Sequence, residues 1–345
     1  LSRGYLVFED GYGVEGNFLG EEEVYGEVVF NTSSTGYEEV VSDPSYFNQI
    51  IVFTSPMVGN YGINPKHWES FCYQARGIVC LELQNSKRDS QFLEELKKHH
   101  LGVLAEADTR TLTLYLRDRG TVWGAIVKAE SLDKAREKAR GLIQQKNQLP
   151  TDWVREVSRK NIEILNGARS QGPRIGVLDF GVKNNILRLA QERSSSVVIF
   201  PSRVHPSVIE AHNLDGLILS NGPGDPELVK ESPDIISHFI GKKPILAICM
   251  GHQLLARALG AKTYKLKFGH RGVNHPIRDD VVNLIYVASH NHGYSVDEKT
   301  LPTRAKVTMV NLNDQTVAGF HLKEEKILSV QYHPESCPGP HEARI

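Results

Sequence analysis

Cys249 closes the apolar run Pro244 to Ile248 and is followed by Met250, Gly251 and an amphipathic stretch to Gly260. This pattern predicts a strand, a sharp corner and a helix, with Cys249 at the corner. A residue there projects into the cleft at the strand's end. The first turn of the following helix favours negative charge, because its free N–H groups and dipole point at the corner. A free thiol titrates near pH 8.5, so little of it is thiolate at neutral pH without such help. The backbone N–H of Met250 is placed to donate to an oxyanion. A buried structural cysteine at a strand end is the competing reading. The small residues Ala247 and Gly251 favour the corner.

A nucleophilic thiol needs a base, and the base needs a third group to orient it. The run KILSVQY reads as a strand that delivers His333 at its end, with Pro334 stiffening the turn and Glu335 two residues on. That spacing lets Glu335 hold one ring nitrogen while the other faces Cys249. A His-Pro dipeptide alone is usually a surface loop, so the assignment rests on the pairing with the Cys249 corner. Cys72, Cys80 and Cys337 lack such a setting. His290 and His292 lie two apart, but no neighbouring Cys or carboxylate completes a ligand set, and no metal site is expected.

These groups need a scaffold. From residue 173 onward, apolar strands and short helices alternate: RIGVLDFG, KNNILRLAQER, SSVVIFP, PSVIEAHN, LDGLILSNGPG, PDIISHFIGKK, PILAIC and GHQLLARALG. This alternation predicts an α/β domain over 173–345 with a mainly parallel sheet flanked by helices. In such sheets ligands sit at the carboxyl ends of strands, so the loops after Leu219 and Ile248 matter most. Residues 1–150 read differently. EVVFNT, QIIVFTSP and GIVCLEL are strand candidates, and DSQFLEELKKHH and SLDKAREKARGLIQQ have helical spacing. DTRTLTLYLRDRG reads as a helix with Asp108 as N-cap and an end near Gly120. A mixed α/β domain with a substantial β component follows. Residues 151–172 are polar, irregular and closed by Gly-Pro, and are read as a linker.

The totals narrow the class. In 345 residues, Lys plus Arg is 40 and Asp plus Glu is 41, a net charge of -1. Nothing there favours nucleic acid or an anionic membrane as partner. No apolar run approaches the roughly 20 residues a membrane span needs. Four cysteines with no Cys-x-x-Cys pair point to a reducing cytoplasm. There is no Gly-x-x-x-x-Gly-Lys phosphate loop, and no cofactor is expected in this chain. The chain opens without Met, so a few residues there are expected to be missing or removed, and its stop at PGPHEARI leaves a truncated and a naturally short end both open.

CMGHQ at Cys249, HPE at His333 and the loop SNGPGDP at Ser220 resemble the class I, triad-type glutamine amidotransferases. GEVVFNTSSTGYEEVVSDPSYFNQI at Gly26, DTRTLT at Asp108, DFGVKNNILR at Asp179, GAKTYKLKFGHRGVNHP at Gly260, NHGYSV at Asn291 and SCPGPHEA at Ser336 resemble, more narrowly, the carbamoyl-phosphate synthetase small subunits. The resemblance implies a glutaminase. Cys249 attacks the side-chain amide, His333 moves the proton, Glu335 orients it, and water clears the thioester. It implies glutamine contacts from Ser45, from the backbones of Gly222, Gly224 and Met250, and from Gln253, Asn291, Gly293 and Tyr294. It also implies a large partner subunit, holding ATP and Mg, that makes carbamoyl phosphate from bicarbonate and the released ammonia. A docking role falls to residues 1–150. Lys183 is read as structural, and His252 as a group behind the site.

The chain departs from the family at three positions near the site. Ala247 stands where Gly is usual, His290 where Gln is common, and Met250 where Leu is common. Two other classes compete: a regulatory module that binds a partner without hydrolysing glutamine, and a hydrolase that acts alone. The intact Cys249, His333 and Glu335 oppose the first, and the resemblance of the N-terminal domain opposes the second.

Overall fold

The computed structural model describes residues 2–84 and 92–336. The chain divides between Pro150 and Thr151 into two units. In the first, seven of the described strands close into a barrel, the expected EVVFNT and QIIVFTSP among them. Its order is Ser2–Phe8, Gly13–Phe18, Gly102–Ala105, Gly77–Val79, Gln49–Phe53, Val24–Asn31 and Val122–Lys128, which returns to Ser2–Phe8. One apolar cluster joins Leu6, Val28, Ile50, Val52, Val79, Leu104 and Ile126 to Leu112 and Leu116 of the helix Thr109–Arg119. That helix starts as the sequence predicts. The Asp108 carboxylate accepts from the Thr111 N–H at 2.9 Å, and Gly120 ends it. The helix Leu132–Gln144 presents Ala135, Ala139 and Ile143, four apart, to Tyr5, Val7, Ala125 and Val127. GIVCLEL is not one strand. Gly77–Val79 joins the barrel, while Glu82–Leu83 pairs with Met57–Val58.

In the second unit, the described residues form a ten-stranded sheet. Ser196–Pro201, Arg174–Asp179, Gly216–Leu219, Ile245–Ile248 and Ile327–Val330 run parallel in that order. Val317–Leu322, Lys306–Asn311 and the long hairpin Thr263–Asp279 with Leu284–Val296 extend it antiparallel. One face packs under Ile235, Ile236 and Phe239 of the helix Ser232–Phe239 and Leu254 and Leu255 of the helix Met250–Ala258. The other packs against Ile186, Leu187 and Ala190 of the helix Asn184–Arg193. Both faces are covered, which is why the parallel strands read as continuous apolar runs.

Residues 151–172 correct the linker reading. They hold a helical turn, Trp153–Val157, and a strand, Glu163–Asn166, at the sheet edge. The strand is largely exposed, so its polar composition hid it. The turn is capped by Asp152, which accepts from the Arg155 N–H, and it buries Val154 in the core. The segment therefore belongs to the second unit. Among the described residues no helix is long and apolar enough to cross a membrane.

Asp108→Ala removes the acceptor for both the N–H and the hydroxyl of Thr111. It should lower stability by about 1 kcal/mol, read as a fall in the denaturation midpoint. An unchanged midpoint would mean that the cap is dispensable.

Candidate active site

The strand Ile245–Ile248 runs directly into Cys249, which has φ 53° and ψ −104°. A non-glycine residue in such a conformation costs on the order of 1–3 kcal/mol and persists only where its surroundings fix it. Here they do. The Cys249 N–H donates to the Val330 carbonyl at 2.9 Å, and the Gly251 N–H donates to the Ser220 carbonyl at 2.9 Å. The Cys249 carbonyl accepts from the Gln253 N–H at 3.1 Å, which opens the helix Met250–Ala258. Gly251 is obligatory, because a Cβ there would lie 2.3 Å from the Leu219 carbonyl oxygen. Ala247 lies in extended strand, fully buried. The departure from Gly at that position is thus absorbed within the sheet.

The neighbouring parallel strand, Ile327–Val330, brings in His333. His333 Nδ1 lies 2.8 Å from Glu335 Oε1, so its Nδ1 proton faces the carboxylate and Nε2 is turned outward. Nε2 makes no hydrogen bond to any described residue. Lys183 Nζ lies 3.0 Å from the same Glu335 oxygen and 3.1 Å from Ser336 Oγ. Asn185 donates to the Glu335 backbone carbonyl. His333, Glu335 and Lys183 are all buried. Burial alone would favour the neutral imidazole, but the Glu335 carboxylate and the neighbouring Cys249 side chain outweigh it and raise His333 to about 10. Burial would likewise raise Glu335, yet Lys183 and His333 together bring it down to about 2. The result is a base held in one orientation beside a thiol at a helix start.

The loop after the strand Gly216–Leu219 lies alongside. Ser220 Oγ accepts from the Phe180 N–H at 2.9 Å, and Asn221 Oδ1 accepts from the Lys183 N–H at 3.1 Å. A Cβ on Gly222 would fall 2.1 Å from the Phe180 carbonyl oxygen. Gly224 has φ +87° and faces Trp153. On the other side stands the hairpin strand Leu284–Val296. The Cys249 thiol donates to the Asn291 carbonyl at 3.6 Å, and the Ser289 carbonyl accepts from the His333 N–H at 2.9 Å. Gln253 Nε2 donates to the Tyr294 carbonyl at 2.9 Å and to Gln331 Oε1 at 3.0 Å, tying the helix to this strand. Gly293 lies between Asn291 and Tyr294 on the same strand.

Cys249, His333, Glu335 and Asn291 are thus brought together, and Gln253 and Tyr294 join them through one hydrogen bond. Ser45 belongs to the first unit, where it is buried and its N–H donates to Asp43 Oδ1 at 2.8 Å. His252 points away from this chemistry. It is fully buried against Phe320, hydrogen-bonded to Ser329 Oγ at 2.7 Å, and burial pushes it down to about 3. Sequence reasoning passed over Lys183 as an ion-pair partner and Asn185 altogether. The available signal was a lysine beside two asparagines in GVKNN, at a strand end of the same sheet.

The comparisons agree with this architecture. The family model described as "Glutamine amidotransferase class-I" matches residues 176–345, and "Carbamoyl-phosphate synthase small chain, CPSase domain" matches residues 6–126. A carbamoyl phosphate synthase small chain from Caldanaerobacter subterraneus subsp. tengcongensis is 40% identical over 347 residues, covering 99% of this chain and 93% of that one. This chain belongs to the carbamoyl phosphate synthase small-chain family. The namesake from Methanococcus maripaludis is 41% identical, covering 99% of this chain and 94% of its own length. That from Clostridium perfringens is 42% identical, covering 97% and 95%.

Two measurements probe the charge cluster. Lys183→Met leaves Glu335 with one cationic partner and should cost roughly 3 kcal/mol of stability, measured by denaturant unfolding at neutral pH. His333 is held at about 10 in the fold, against about 6.5 unfolded. Its pairing therefore stabilises fully below about pH 6.5 and is lost as pH rises through 10. The stability gap between the native chain and His333→Asn should accordingly narrow from pH 7 to pH 10. A gap that stays constant over that range would contradict the pairing.

Proposed function

We propose that Cys249, His333 and Glu335 perform the glutamine hydrolysis of this family member. The carrying observation is the strained Cys249 at a helix start beside an imidazole whose orientation Glu335 fixes. In this reading, His333 Nε2 takes the thiol proton and the thiolate attacks the side-chain amide carbon of glutamine. The oxyanion meets the Met250 N–H and the backbone of the Gly222–Gly224 loop. Such donors are worth about 100- to 1000-fold in rate. His333 then protonates the departing ammonia. Water, deprotonated by the same nitrogen, cleaves the thioester to glutamate and restores the thiol.

Glutamine is held, in the same proposal, along Asn291, Gly293 and Tyr294. Gln253 supports that strand through its bond to the Tyr294 carbonyl. Ser45 keeps its place on the resemblance around Asp43 to Tyr46 alone. The ammonia passes to a large synthetase chain that binds ATP and Mg and makes carbamoyl phosphate from bicarbonate. The small chain itself needs no cofactor for this chemistry. A cytoplasmic setting fits a catalytic thiol and the sparse cysteines.

The test uses the chain with its large partner. Cys249→Ser should abolish glutamine-dependent synthesis while ammonia-dependent synthesis persists. Equal loss of both would make Cys249 structural. A glutamine-like alkylating agent should label Cys249 in preference to Cys72 and Cys80, whose thiols burial pushes up.

A further inference from the structure

The hairpin that borders the site carries a second cluster. His270 and His292 are direct partners across its two strands, and His290 lies opposite Gly272, which leaves room for its ring. With the two-residue strand period, these three side chains share one face, and Arg271 and Asn291 leave on the other. All three histidines are buried, and one nitrogen from each lies within 4.8 Å of the others. His275 packs its ring 4.9 Å from His270 and 4.8 Å from His290.

The hydrogen bonds fix where the lone pairs are. His292 Nδ1 donates to the Tyr294 carbonyl at 2.8 Å, so Nε2 carries a lone pair. His270 Nε2 lies 2.8 Å from Asp314 Oδ2, so its proton faces the carboxylate and Nδ1 is the lone-pair side, which accepts from Asn311 Nδ2 at 3.3 Å. His290 Nδ1 lies 2.9 Å from His292 Nε2, and His290 Nε2 has no partner among the described residues. One ring proton is thus shared between His290 and His292, and a fully buried nitrogen is left unsatisfied. This is a poor hydrogen-bond cluster and a good ligand set.

We propose that His270, His290 and His292 bind one divalent transition-metal ion of the zinc(II) class. Ring nitrogens at about 2.0 Å from a tetrahedral ion stand about 3.3 Å from each other, so an adjustment of up to about 1.5 Å from the present spacing, within 4.8 Å, seats the ion. Imidazole donors select this class over magnesium or calcium, which take oxygen ligands. The outer contacts are those of a metal site. The Asp314 carboxylate and the Tyr294 carbonyl accept the far N–H of two of the rings. The sequence suggested no such site, because its third histidine lies 20 residues before His290 and the carboxylate 24 after it. Strand pairing supplies both.

The ion would clamp the strand segment whose Ser289 and Asn291 carbonyls meet His333 and Cys249. The test titrates metal-stripped chain with zinc(II) against a chromophoric chelator and follows cobalt(II) by its visible spectrum. The native chain should take up one equivalent tightly, with the strong visible bands of tetrahedral cobalt. His290→Gln should lose that equivalent and those bands. Asp314→Asn, at a half-exposed position, should keep the fold and weaken binding by roughly 10- to 100-fold. No tight equivalent in the native chain, or equal uptake by native chain and both variants, would overturn the site.

Discussion

The site depends on one buried carboxylate. Glu335 sits between Lys183 and His333, with all three out of water. A lone buried carboxylate would take up a proton and cease to orient anything. Two cationic neighbours on one oxygen keep it charged, and the charge fixes the orientation of the His333 ring. The partners arrive from different places. Lys183 precedes the helix Asn184–Arg193, which follows the first parallel strand, while His333 and Glu335 follow the strand Ile327–Val330. The sheet order is therefore an electrostatic requirement as well as a topological one. If these strands, with two others between them in the sheet, did not end on the same edge, the carboxylate would lose Lys183.

The nucleophile is held by a different means. Nothing charged positions Cys249. It is placed by backbone geometry, through a strained φ that two carbonyl acceptors on neighbouring segments hold in place. Gly251 permits this, since the turn presses against the Leu219 carbonyl. Gly222 permits the adjacent loop to do the same against Phe180. The two glycines let three strand ends converge closely enough for a small amide substrate to touch main chain on several sides. Side-chain lining would be bulkier and less rigid.

What the sequence revealed follows from these causes. Cys249, His333, Glu335 and the Asp108 cap were legible because each sits at a fixed offset from a strongly patterned element. The parallel strands were legible because both of their faces are covered. The edge strand Glu163–Asn166 was not, because an exposed edge looks like a linker in composition. The hairpin Thr263–Asp279 with Leu284–Val296 was also hidden. Its charged and histidine-rich residues break the apolar alternation, and its register shifts between Lys265 and His270 and again between Gly272 and His275. Lys183 as an ion-pair partner was hidden for a third reason. Its partner lies 152 positions away, so no local pattern could announce the pair.

That hairpin links the two ways of holding the site. Three consecutive residues do different work. The Ser289 carbonyl fixes the His333 backbone, the Asn291 carbonyl meets the Cys249 thiol, and between them His290 turns into the histidine cluster on the opposite face. Any shift of His290 along the strand axis must therefore move both neighbouring carbonyls. The separation of base and nucleophile is set partly by how firmly that ring is held. A strand with a nonpolar residue at 290 would be held only by its ladder, which is already interrupted by the irregular register on each side. The departure to His290 thus falls at the position where tightening the reverse face of the hairpin has the shortest path to the reacting atoms.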